Sequence, residues 1–292
     1  VDPDDGTSID AVQAGNLHGA RVAAMPRRKK RPTAGLTSRS ADPHLLYERS
    51  VQETETTIDF IDSVFEDERG RLPLSLREDF CGTAKLAADW VLRGPRRRAV
   101  GLDIDLPTLD WARRHNLEPL GEDARRVELL HRDVRLGSRR KFDVVAAFNF
   151  SYWVFQQRDE LKRYFTACRR GLKPGGALML DLHAGPDAQF QLEERADYGD
   201  FEYVWEQETF NPFNNHTICH IHFRFPDGSA LERAFTYDWR VWSVPELRDL
   251  LAEVGFRRVD EWWDGSDDDE LVRLRPDDAN FISWLAYVVA WK

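Results

Sequence analysis

Three acidic residues stand where apolar runs end: Glu78 in PLSLREDF, Asp103 in RAVGLDID and Asp133 in VELLHRDV. Each type and position suits one job. Gly82 follows Glu78 and Asp79 in a turn, where a missing side chain lets backbone approach a ligand closely. Thr83 next to it can cap a helix. Asp103 comes roughly 20 residues after that turn, the place of a carboxylate that grips both hydroxyls of a ribose. Asp133 can accept from an exocyclic amine. Acids at the ends of three successive strands read as an adenosine site.

Such a site needs elements that hold the acids side by side. Strand-like and helical runs alternate from PLSLRE to ALMLDLH, with TAKLAADWVL, LPTLDWARRHN and RDELKRYFTACRRGL as helices. That alternation implies parallel pairing through right-handed crossovers, and ligands of such sheets sit outside the carboxyl ends of the strands. Upstream, LLYERSVQETETTIDFIDSVFEDE reads as one or two helices. Downstream, FEYVWEQETF, HTICHIHFRF and ALERAFTYDWRVW alternate as strands between NPFNN and PDGS turns. They predict an antiparallel insert over about 198–242. SVPELRDLLAEVGF then reads as a helix capped by Ser243, and two final strands follow. Glu78 and Asp79 beside the first loop disfavour a pyrophosphate and favour a cation. An adenosine ligand with a positive centre is S-adenosylmethionine.

On these residues the chain resembles the class I S-adenosylmethionine-dependent methyltransferases from about residue 45 to the end. Their first motif, acid-x-Gly-x-Gly-x-Gly, is matched loosely by Glu78-Asp79-Phe80-Cys81-Gly82-Thr83-Ala84, with Phe80 and Ala84 in place of the outer glycines. LKPGGALMLDL is similar to the segment before their fifth strand, and ELRDLLAEVGF to the helix before their sixth. The resemblance implies a Rossmann-like, doubly wound α/β fold: a seven-stranded, mostly parallel sheet with an antiparallel β insert after strand five. It implies S-adenosylmethionine as cofactor, held by Tyr47, Arg77, Glu78, Gly82, Thr83, Asp103, Ile104, Asp133, Val134 and Asn149. Tyr47 and Arg77 are expected at the methionine end.

The substrate side is expected in FNFSYWVF after the fourth strand and in the insert. Phe148, Tyr152, Trp153, Trp205, Tyr237 and Trp239 would wall a pocket for a small molecule, since aromatic faces suit a sulfonium or an amine. Tyr152 and His183 are the candidate catalytic groups, His183 because imidazole titrates near neutrality. His216, Cys219, His220 and His222 read as a polar strand face. His220 and His222 share one face while Cys219 points to the other, and no fourth ligand accompanies them, so no metal is expected.

A formal charge of -10 over 292 residues argues against non-specific nucleic-acid binding. The basic run MPRRKKRP, from Met25 to Pro32, lies in a segment, 1–42, expected to be a disordered tail ahead of a domain over 43–292. It leaves an RNA or protein methyltransferase as an alternative, and the loose glycine motif leaves a non-catalytic adenosine-ligand sensor. With three cysteines and no apolar run that spans a bilayer, a cytoplasmic protein is expected, a homodimer being compatible.

Overall fold

A computed structural model describes residues 35–264, 271–273 and 284–292. The basic run Met25–Pro32 lies outside the described residues. Two helices open the described chain, α1 (Pro43–Val51) and α2 (Thr54–Arg69). Alternation follows: β1 (Ser75–Asp79), α3 (Lys85–Leu92), β2 (Arg98–Asp103), α4 (Leu106–Ala112), β3 (Val127–His131), β4 (Phe142–Ala147), α5 (Arg158–Gly171) and β5 (Leu172–Ala184). The chain ends with α6 (Val244–Glu253), β10 (Arg258–Asp264), β11 (Leu271–Arg273) and β12 (Trp284–Trp291), after an insert of β6 to β9. The main sheet runs β11-β10-β12-β5-β4-β1-β2-β3. Strands β1 to β5 pair in parallel, and β12 lies antiparallel to both β5 and β10. This is the expected doubly wound α/β sheet of seven strands, extended at its edge by the short β11.

Alternation within strands sorts the core into two faces. Val145 and Ala147 of β4 face α5 and α6, whose Leu161, Phe165, Leu247 and Leu251 are fully covered. Val144 and Ala146 face α2 and α3, against Ile61, Phe65 and Trp90. Burial on both faces is what makes these strands continuous apolar runs. No helix among the described residues is long and apolar enough to cross a membrane.

The insert is a separate antiparallel sheet, β6 (Leu192–Asp197), β7 (Glu202–Asn211), β8 (His216–Arg224) and β9 (Ala230–Arg240). It begins earlier than the expected 198. Its first strand, LEERAD, is mostly charged, so its alternation carries almost no hydrophobic signal. Helix α1 packs on this sheet through Leu46, beside Phe201, Ile221 and Phe223. Leu36 and Ala41, in the segment expected to be tail, pack on the same cluster, and the Ser38 N–H donates to Ser229 Oγ.

Candidate active site

The loop after β1 keeps a glycine-like backbone without the glycines. Phe80, Gly82 and Ala84 all have positive φ, at 57°, 49° and 54°. The two outer positions are those where the resembling family has glycine. Left-handed backbone at a residue with a Cβ costs about 1–2 kcal/mol, and packing holds it. The Phe80 ring lies against Phe155 and Tyr164, and Ala84 is fully buried. The loop also presses on β2: a Cβ on Gly101 would lie 2.8 Å from Cys81 Sγ. In front of Gly82, by contrast, an added Cβ would meet nothing within 4 Å.

The cap of α3 differs from expectation. Ala84, not Thr83, is the N-cap, and it offers no side-chain acceptor. Glu78 supplies one from the strand tip, accepting the Ala87 N–H at 2.9 Å. Burial pushes the Glu78 carboxyl up to about 8, against the lowering effect of that hydrogen bond, and nearby Asp103 raises it further. The Thr83 hydroxyl instead donates to Gln52 Oε1 at the end of α1, and the Thr83 carbonyl accepts from Asn116.

Asp103 closes the loop. Its Oδ2 accepts the Gly82 N–H at 2.8 Å and its Oδ1 the Asp105 N–H at 2.9 Å. Each oxygen keeps a second lone pair for a hydroxyl. Ile104, next along, is 70 % exposed, a flat apolar surface beside the carboxylate. Asp133 sits one strand further on, but its carboxylate is turned to Arg135, with contacts of 2.6 to 3.1 Å, and it caps the turn that follows. The Arg135 hydrogen bonds hold it below the usual carboxylate range. The Val134 side chain is buried in the core, so only its backbone is in reach of a ligand.

One expected cofactor residue is elsewhere. Arg77 has no exposure, and its guanidinium pairs with Asp79 at 2.7 and 2.5 Å under the sheet, where the Tyr164 hydroxyl also donates to Asp79. Residues two apart on a strand share a face. Arg77 and Asp79 therefore point together into the α5 side of the core, away from the loop.

After β4 the chain turns through Asn149 and Phe150, both at φ 56°. Their N–H groups converge on Asp181 of β5 at 2.7 and 2.9 Å. Burial pushes the Asp181 carboxyl up to about 7, with those two bonds opposing. Tyr152, expected as a catalytic group, is fully buried and donates to the Asp181 carbonyl at 2.9 Å. Its proton is committed to backbone, so it serves the loop rather than a reaction. Phe148 faces the other side of the sheet, edge-on to Tyr287.

The remaining aromatics meet. Trp153 is stacked on Phe150 and edge-on to Trp239 at 5.7 Å. Trp239 stacks on Tyr237 at 4.2 Å, and Trp205 lies within 6.2 Å of both. His183 stacks on Phe150 at 6.3 Å, and burial lowers its imidazole, so it is neutral at pH 7. Tyr47 reaches this wall from α1. Its ring lies 5.0 Å from Phe235 and its hydroxyl hydrogen-bonds Tyr237. Rings from the β4–α5 connection, from α1 and from one face of the insert thus form one continuous aromatic wall.

The histidines of β8 lie on the opposite, outer face. His220 contacts Glu208 and Thr236 at 2.9 Å each, and His222 contacts Glu206 at 2.9 Å and Glu232. Sequence reasoning missed Asp181, although a lone acid inside ALMLDLH was a signal for a buried, partnered carboxylate. It also missed Asn116 and Gln52, which no local pattern marks.

The sheet order, the tight first loop and an acid closing it from the second strand define the class I S-adenosylmethionine-dependent methyltransferase fold. Residues 81–178 match the family model described as a methyltransferase domain. S-adenosylmethionine is the cofactor of this class. A curated relative, the Bacillus subtilis (strain 168) protein YqeM, named as a methyltransferase, is 24% identical over 188 residues, 61% of this chain and 71% of its own. The crystal structure of a S-adenosylmethionine-dependent methyltransferase from Clostridium acetobutylicum ATCC 824 superposes with a TM-score of 0.64 at 17% identity, covering 85% of this chain and 96% of that one. S-adenosylmethionine-bound CalS10 of Micromonospora echinaspora, an amino pentose methyltransferase, superposes at 0.61 with 15% identity, over 85% and 95%.

Proposed function

We propose that this protein transfers the methyl group of S-adenosylmethionine to a nitrogen of a small molecule held in a chamber between the strand tips and the insert. The observation that carries the reading is the aromatic wall in which Trp205, Tyr237 and Trp239 of the insert meet Trp153 of the loop that Asp181 fixes. Such a wall, closed over the strand tips, would fit a modest ligand and exclude water and bulky chains. A solved structure of the same fold, CalS10, acts on an amino pentose.

The residues present fit the cofactor. Asp103 would hold the ribose hydroxyls, Ile104 would pack on the base, and the open space at Gly82 admits close approach of the backbone. Tyr47 and Asn149 would serve the methionine end. Asp133 would serve the adenine amine only while sharing its oxygens with Arg135. Once bound, the cofactor supplies an electrophilic methyl carbon on a sulfonium.

What the chain adds is alignment and desolvation. Fixing the acceptor against the methyl carbon within roughly 3–3.5 Å can supply several kcal/mol. Asp181 keeps the Asn149-Phe150 turn rigid, which fixes the floor of the chamber. His183, neutral and beside Phe150, is the group able to take the proton that an acceptor amine sheds. Calorimetric titration with S-adenosylmethionine, followed by mass spectrometry of aminosugar acceptors after incubation, tests the reading. Saturable micromolar binding and a product heavier by one methyl are expected. Absence of binding at millimolar cofactor would remove it.

A further inference from the structure

Strand β6 places on the inner face of the insert a carboxylate that makes no ion pair and no side-chain hydrogen bond among the described residues. Glu193, Arg195 and Asp197 point outward and are exposed, whereas Leu192, Glu194 and Ala196 face inward and are half-buried. Glu194 is register-paired with Trp205 of β7, and directly opposed residues share a face. It therefore lies on the wall formed by Trp205, Tyr237 and Trp239. Its charge acts on the Tyr203 phenol, two residues along the same face.

A second acid joins it. Gln207, also inward, donates to the carbonyls of Asp187 and Phe190 at 2.9 and 2.7 Å, which ties the turn after β5 to the insert. Asp187 is near enough to raise the Glu194 carboxyl and to act on His183. Among the described residues neither Glu194 nor Asp187 has a salt bridge or a side-chain hydrogen bond. The cations of β6 and β8 are spent outside: Arg195 pairs with Glu193, and Arg224 lies near Glu193 and Glu202. A half-buried carboxylate without a partner costs free energy unless a guest supplies the opposite charge. Facing an indole, it has a second reason to attract a cation.

We infer that Glu194, backed by Asp187 and opposite Trp205, is a specificity-determining residue that recognises an ammonium-bearing small molecule in the chamber. The inference rests on the reading of the chamber as the acceptor site. It narrows the acceptor to one that carries an ammonium group on arrival, and the cover sheet gains a chemical role beyond exclusion of water. The reacting nitrogen must be in its neutral form, with its lone pair free, when the N–CH3 bond forms and the C–S bond breaks.

Tryptophan fluorescence can read the guest directly, since Trp205 and Trp239 line the wall. The probes are cyclohexylammonium and its neutral counterpart cyclohexanol, titrated in the presence of S-adenosylhomocysteine. Wild type should bind the cation at least ~10-fold more tightly, the range of a charge-assisted hydrogen bond. Glu194→Gln should lose that preference while its affinity for S-adenosylhomocysteine stays the same, and Glu194→Asp should keep part of it. Equal affinities for the two probes in wild type, or an undiminished preference in Glu194→Gln, would overturn the inference. Failure of S-adenosylhomocysteine to bind wild type would instead overturn the methyltransferase reading beneath it.

Discussion

Glu78→Gln should remove a pH-dependent weakness from the fold. The carboxyl ionises near 4.5 when exposed and at about 8 in the folded chain, because burial opposes its charge. Between those values the folded state holds a proton that the unfolded state has released, so stability falls as pH rises through the window. Worked from the two values, the loss between pH 5.5 and pH 8 is about 3 kcal/mol. Glutamine keeps an oxygen to accept the Ala87 N–H but has no proton to lose. Urea unfolding of both proteins across that range should give wild type a decline steeper than the variant by about 3 kcal/mol, or roughly 6–12 °C in Tm. Groups elsewhere, such as Asp181, titrate alike in both and cancel. Parallel profiles, within about 1 kcal/mol, would refute the argument that Glu78 is a neutral cap under the loop.

Asp103→Ala removes the acceptors proposed for two ribose hydroxyls and frees the Gly82 N–H, so the Kd for S-adenosylmethionine should rise by about 100-fold in calorimetry. Arg77→Met leaves Asp79 charged and buried without its partner, which should cost about 3–5 kcal/mol in urea unfolding. Tyr152→Phe loses one buried hydrogen bond, about 1 kcal/mol, and should leave the Kd for the cofactor within about threefold by the same titration.

The parts of the fold that were legible share one property: their burial is regular. VVAAF and ALML announced a sheet covered on both faces, and the alternation in β7 to β9 announced the insert. Strand β6 was hidden because a charged Glu194 interrupts its inward positions between Leu192 and Ala196, so four of its six residues are charged. The site divides in the same way. The position of Asp103 beside the first loop was readable because the end of the second strand is fixed by topology. Arg77 was misplaced because strand parity sends it with Asp79 into the core, a fact that charge alone obscures. The Glu78 cap of α3 joins residues across a turn, and local capping patterns look only at the helix's own neighbours. Tyr152 looked like chemistry, but its partner is a backbone carbonyl that no side-chain motif reports.

The loop at Phe80, Gly82 and Ala84 changes what should be searched for in distant relatives. What survives there is a rhythm of left-handed backbone, and the glycine letters are only its commonest spelling. Once neighbouring rings and a covered methyl bear the conformational cost, two of those letters are dispensable. A pattern written in residue names then passes over such chains, whereas one written in dihedral angles retrieves them.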